Sequence, residues 1–168
     1  MADSYNGTPS TDNGFSPAEL TAMHREADAY LAAQGVRVAF AYFLLAAIVV
    51  VVTPYRQEYP VIIGGVVLGT LLLGGMRFHL GRRFEIDYAS NPRDWRQRFA
   101  ASTYLQAGLW SMLCSFTLPV FDLSWTTLLV LTMTAGLAAG TITSLSPTRR
   151  LARTVNALLL WPLALACA

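Results

Sequence analysis

No lysine occurs in this chain; all twelve basic residues are arginine, against ten acidic ones. The formal net charge of +2 gives no electrostatic case for a nucleic-acid partner. Histidine and cysteine are scarce, two of each. His24, His79, Cys114 and Cys167 stand apart with no CxxC or His/Cys ligand spacing. No metal centre, no disulfide framework and no cofactor is therefore expected. Both cysteines sit inside apolar runs, where a thiol behaves as a small hydrophobe. GxGxxG, GxSxG, HExxH and P-loop patterns are missing as well, so the chain offers no catalytic residues to read.

Charge is also missing from the middle of every long apolar run. A proton-coupled pump usually keeps an ionisable group there, because such groups are costly in lipid and persist for function. With 54% hydrophobic and 13% charged residues, the chain is too apolar for an ordinary soluble domain. Its apolar runs approach the roughly 20 residues that a bilayer core demands of a helix. The expected fold class is all-α, a polytopic integral membrane helical bundle over 36-168. About five spans are expected, near 36-55, 60-76, 99-120, 125-146 and 153-168. After Arg153 the last run covers roughly 22 Å at about 1.5 Å per residue, short of a core near 30 Å. A longer protein with a sixth helix is the expectation.

What precedes the first span is polar. Residues 1-15, rich in Ser, Thr, Asn, Asp and Gly, have almost nothing to bury and are expected to be disordered. Ser16-Pro17-Ala18-Glu19 then opens a helix with a capping box and a proline at its first position. That helix, 16-35, carries a narrow stripe of Leu20, Met23, Ala27, Tyr30 and Leu31. It is expected to be a cytoplasmic amphipathic helix on the membrane surface or against a partner helix, with Gly35 marking its end.

Arg77 to Arg98, RFHLGRRFEIDYASNPRDWRQR, holds six of the twelve arginines between two apolar runs. It reads as a cytoplasmic loop. Counting by the expected hairpins, eleven arginines fall on one side and only Arg56 on the other. That asymmetry places the N-terminus in the cytoplasm. Arg77, Arg82, Arg83, Arg93, Trp95, Arg96, Arg98, Arg149 and Arg150 are the expected topology and lipid-headgroup anchors, with the bilayer itself as partner. The third span is the most polar, and Gln106, which cannot hide its amide against its own helix, should face the bundle. Tyr104, Gln106, Trp110 and Asn156 are the candidate signal-contacting residues. Gly65-xxx-Gly69 and Gly136-xxx-Gly140 read as close-packing faces.

One arrangement goes beyond generic membrane chemistry. Arg77, Phe78, Arg82, Arg83 and Phe84 follow the second span. Asn91-Pro92-Arg93-Asp94-Trp95-Arg96-Gln97-Arg98-Phe99 leads into a span with Gly108-Leu109-Trp110. The next ends AGLAAGTITSLSPTRRLA, and the last contains Leu160-Trp161-Pro162. Over about residues 20 to 168 this resembles the N-terminal multi-helix membrane region of bacterial signalling proteins, namely sensor or hybrid histidine kinases and GGDEF-type diguanylate cyclases. The resemblance implies a sensory input module in the bacterial inner membrane, a homodimer, relaying a stimulus to a cytoplasmic kinase or cyclase output domain. No phosphoacceptor-histidine motif, ATP-binding box or GGDEF motif occurs in this chain, so no catalytic residue is carried over. The competing reading is a small oligomeric transporter or a subunit of a membrane complex.

Overall fold

Helix formation starts at Ser16, whose hydroxyl accepts from the Glu19 amide at 3.2 Å while the Glu19 carboxylate accepts from the Ser16 amide at 2.7 Å. Those bonds, the Ser16 backbone first, hold the Glu19 carboxyl below its ordinary range. The computed structural model describes residues 16–145 and 148–166; the expected disordered tail, Pro147 and Cys167 lie outside them. Every element among the described residues is helical: α1 Pro17–Val52, α2 Tyr55–Glu58, α3 Pro60–Arg82, α4 Phe84–Ser90, α5 Pro92–Phe121, α6 Trp125–Ser144 and α7 Arg149–Ala166.

Two boundaries differ from the sequence expectation, each for a physical reason. Gly35 does not end a helix: α1 runs through it for 36 residues. The glycine serves close packing instead, since a Cβ there would stand 2.7 Å from the Phe99 ring of α5. The arginine-rich stretch is not a loop but three successive helices. α3 continues to Arg82, α4 follows, and α5 begins at Pro92 under an Asn91 cap that accepts from the Asp94 amide.

The buried face of α1 also differs from the expected stripe. Leu20, Met23 and Tyr30 are exposed. Burial runs instead through Asp28, Ala32, Gly35, Ala39, Tyr42, Ala46 and Val49, alternating four and three residues apart. That is a coiled-coil-like seam, and it explains how one long helix packs along its length. α3 has a matching seam through Ile63, Val66, Thr70, Arg77 and Leu80.

α1 packs on α3 and α6, α3 packs also on α5, and α5 meets α6 and α7, which touch each other. α5 is accordingly the most enclosed helix, and its buried positions include Ser102, Thr103, Gln106, Ser111 and Thr117. Large apolar side chains are not confined to the interior, as they largely are in a water-soluble bundle. Threonines 70, 117, 127, 134 and 141 are inside, while Phe40, Val51, Val61, Leu72, Met112 and Trp125 are more than half exposed. Among the described residues, three helices are long and apolar enough to cross a membrane: Ala18–Val52, Pro60–Arg82 and Trp125–Ser144. Such an exterior is compatible with a membrane protein, because lipid removes the penalty on outward apolar groups.

Each end of the bundle is closed by aromatic rings. At one end Tyr55, fully buried, bonds the Thr117 hydroxyl at 2.6 Å and packs edge-on to Phe121, while Tyr59 meets Phe116. At the arginine-rich end Trp95 stacks on Phe99 and takes Phe84 and Tyr88 edge-on.

Candidate functional site

Arg77 is the unusual side chain of this fold. Its position on the α3 seam turns it into the bundle, where it is 3% exposed. One Nη2–H donates to the Thr103 hydroxyl at 2.5 Å, and Thr103 passes its own proton to the Phe99 carbonyl at 2.8 Å. The guanidinium lies 5.6 Å from the centroid of the Phe99 ring. Its Nε and Nη1 are buried without a partner, and among the described residues no carboxylate pairs with it. A buried cation so incompletely satisfied is costly, by several kcal/mol per ion in proteins generally. Beside it is a cavity of about 10 Å³ lined by Leu31, Gln34, Gly35, Val38 and Tyr42 of α1, Phe99 and Thr103 of α5, Thr141, Ser144 and Leu145 around the end of α6, and Val155 of α7. All five long helices therefore contribute to the wall of this cavity.

Above this point, toward the arginine-rich end, a second polar group ties α1 to α4 and α5. Asp28, on the α1 seam and 5% exposed, accepts from Arg96 at 2.6 Å and from the Tyr88 hydroxyl at 2.8 Å. Arg96 also reaches the Tyr88 oxygen at 3.1 Å. Further out, Arg25 pairs with Glu85 at 2.5 Å; both are exposed, and such a pair contributes little. Partial burial, then the hydrogen bond and negative charge of Asp28, push the Tyr88 phenol above its ordinary 10.0, with Arg96 opposing.

A phenol raised in the folded state contributes stability that is complete below the unfolded pKa and is lost as pH rises through the folded one. The thermal midpoint should hence show no Tyr88 contribution to its slope between about pH 6 and 9, where a free phenol stays protonated. It should fall above about pH 10, and Tyr88→Phe should flatten that alkaline limb relative to the wild type. Equal limbs for both proteins would show that Tyr88 is not held by Asp28.

The residues expected from sequence are dispersed. Gln106 does face the interior, 1% exposed, with its amide 3.4 Å from the Thr70 hydroxyl and its Oε1 unpaired. Trp110 is buried and donates to Thr134 at 2.9 Å, with Tyr42 edge-on to its ring. Asn156 is half-buried and accepts from Thr141 at 2.7 Å. Tyr104 lines an open groove of about 430 Å³ at the arginine-rich end, together with His24, Asp28, Arg96 and Arg150. None of the four lines the Arg77 cavity.

Of the expected anchors, Arg82, Arg83, Arg93, Arg96, Arg98, Arg149 and Arg150 are exposed. Arg77 and Trp95 are not: both are buried within the bundle, so neither can reach a headgroup from where it stands. Charge and aromaticity suggested the surface for them. The overlooked signal was register, since Arg77 falls seven residues after Thr70 and three before Leu80. Asp28, likewise passed over, is the start of the α1 seam. Among the described residues no three His, Cys, Asp or Glu side chains converge as metal ligands. No protein-family model, no curated protein and no solved structure matches this chain.

Proposed function

We propose that the chain is the membrane-embedded input module of a bacterial signalling protein, passing a stimulus to a cytoplasmic kinase or cyclase output domain. In this reading five helices, α1, α3, α5, α6 and α7, cross the inner membrane of a homodimer. The arginine-rich end lies in the cytoplasm, where the positive-inside preference would put it. The observation that carries the proposal is the incompletely satisfied polar interior, with Arg77 Nε and Nη1, Gln106 Oε1 and Thr127 Oγ1 all buried and unpaired. Groups left wanting in one packing can gain partners in another. That is the energetic basis of a two-state element which a stimulus can bias. α1 would carry the change out of the bilayer, because its seam runs from the interior to Asp28 at the basic end.

The Asn91–Phe99 and Ala135–Ala152 stretches resemble sensor kinases and cyclases alike, and a histidine kinase is the output domain proposed first, with a cyclase as the alternative. Reading the gene beyond codon 168 is the direct test. A frame continuing into a dimerising kinase or cyclase domain is expected. A stop codon immediately after Ala168 would overturn the proposal.

A further inference from the structure

Glycine does two different jobs on these helices. A Cβ at Gly35 or Gly69 would stand 2.7 or 2.8 Å from a side chain of α5, so packing closes those positions. At Gly136 and Gly140 of α6 it would meet nothing within 4 Å, and both residues are exposed. The small face of α6 is thus left open within the chain, and it lines a groove of about 390 Å³ against α1. Leu44, Leu45 and Met133 make one end of that groove apolar, while Arg37, Gln34 and Ser144 stand at the other. Arg37 is exposed and, among the described residues, no carboxylate pairs with it. Neither wall can supply one, since α1 has no acidic residue after Asp28 and α6 has none at all.

We propose that this groove holds one anionic phospholipid, its phosphate against the Arg37 guanidinium and one acyl chain lying over Gly136 and Gly140. The assignment rests on reading α1 and α6 as membrane spans, and both are among the three helices long and apolar enough to cross. Length fits a single leaflet. Arg37 to Leu45 is about 12 Å of helix and Ser144 to Met133 about 16 Å, against roughly 15 Å for half a bilayer core. Arg37 opens the apolar stretch of α1, the level at which headgroups lie, and basic pockets between spans on the cytoplasmic side suit acidic lipids. Charge decides against the other natural occupant, a second copy of this chain. A two-fold pairing across this face would set two Arg37 side chains at one depth with no acid to answer either. A phosphate supplies the missing counter-charge and accepts the paired N–H groups of a guanidinium.

The test uses the full chain purified in an uncharged detergent. Dioleoyl phosphatidylglycerol or dioleoyl phosphatidylcholine is added at increasing mole fraction, so that only headgroup charge differs. The thermal midpoint should rise saturably with phosphatidylglycerol, by about 5 °C at high occupancy, and by much less with phosphatidylcholine. Arg37→Gln should weaken phosphatidylglycerol binding about tenfold and erase the preference. Gly140→Leu should weaken binding of both lipids and leave the lipid-free midpoint no lower than in wild type, because its side chain enters open space. Equal shifts for the two lipids, an unchanged preference in Arg37→Gln, or an unchanged response in Gly140→Leu would overturn the proposal. Gly140→Cys tests for a protein occupant: oxidised dimers above the wild-type level in membranes would put a second copy in the groove and overturn the lipid. A chain that stays in solution without detergent would overturn the membrane reading itself. A detergent-requiring chain with no headgroup preference overturns the lipid site alone.

Discussion

Replacing Trp95 with alanine is expected to destabilise the bundle by about 3–5 kcal/mol, measured by denaturant unfolding in mixed micelles. The ring is 2% exposed and is gripped from three directions, stacked on Phe99 at 5.2 Å and edge-on to Phe84 at 5.0 Å and Tyr88 at 5.9 Å. Its indole N–H donates to the Leu80 carbonyl at 3.3 Å, close to the end of α3, where carbonyls run out of helical partners. Trp95 thus fastens α4 to both α3 and α5, and alanine would leave a large void where those helices join. Trp95→Phe keeps an aromatic contact but loses the hydrogen bond, so it should cost less than alanine does. The opposite picture makes a distinct prediction. An interfacial tryptophan facing headgroups would change vesicle partitioning and leave unfolding almost untouched. A loss below about 1 kcal/mol for Trp95→Ala would therefore favour that picture.

Arg77→Met should act in the opposite direction. It is expected to leave the protein equally stable or to stabilise it by about 1–4 kcal/mol, the range seen when buried ionic groups give way to apolar ones of similar volume. Methionine is flexible enough to fill the space beside Phe99 and Tyr42, and Thr103 keeps its bond to the Phe99 carbonyl. Arg77→Lys should be worse than wild type, because an ammonium concentrates the charge and is more strongly hydrated than a guanidinium. Equilibrium unfolding of the three proteins in one buffer orders them. If the methionine variant lost more than about 2 kcal/mol, Arg77 would have to be a net stabiliser of this packing.

Local chemistry was readable because it depends on near neighbours in the chain. Ser16-Pro17-Ala18-Glu19 specifies its capping box whatever packs around it, and Asn91-Pro92 specifies the start of α5 in the same way. The extent of α6, Trp125–Ser144, followed from the length of its apolar run. Gln106 was placed inside because an amide has few other places to go. Long-range packing was much harder to read. Gly35 looks like a helix end until Phe99 is seen to occupy the space where its side chain would be. Arginines 77 and 82 have the same local character, yet one is buried and the other exposed, because only the first falls on the α3 seam. The stretch around them was expected as a loop connecting two spans, and it is helical because Arg and Glu are good helix formers. The site at Arg77 was illegible for a further reason: its walls come from residues 31 to 155, and only the folded chain brings them together.

The continuity of α1 has a mechanical consequence. Thirty-six helical residues at about 1.5 Å each make a rod roughly 54 Å long. Beyond Pro17 at its first position, its hydrogen-bonded backbone has no proline or break at which to absorb bending strain. An axial push delivered near Thr53, at the Tyr55 end, arrives at Asp28 with its amplitude nearly undiminished. A rotation does the same, swinging Asp28 away from Arg96 and Tyr88 by the angle applied at the far end. Gly35 lets this rod bear directly against Phe99, so movement along its axis is felt by the Arg77 chamber on the way. A shaft, a bearing and a latch thus lie along one helix.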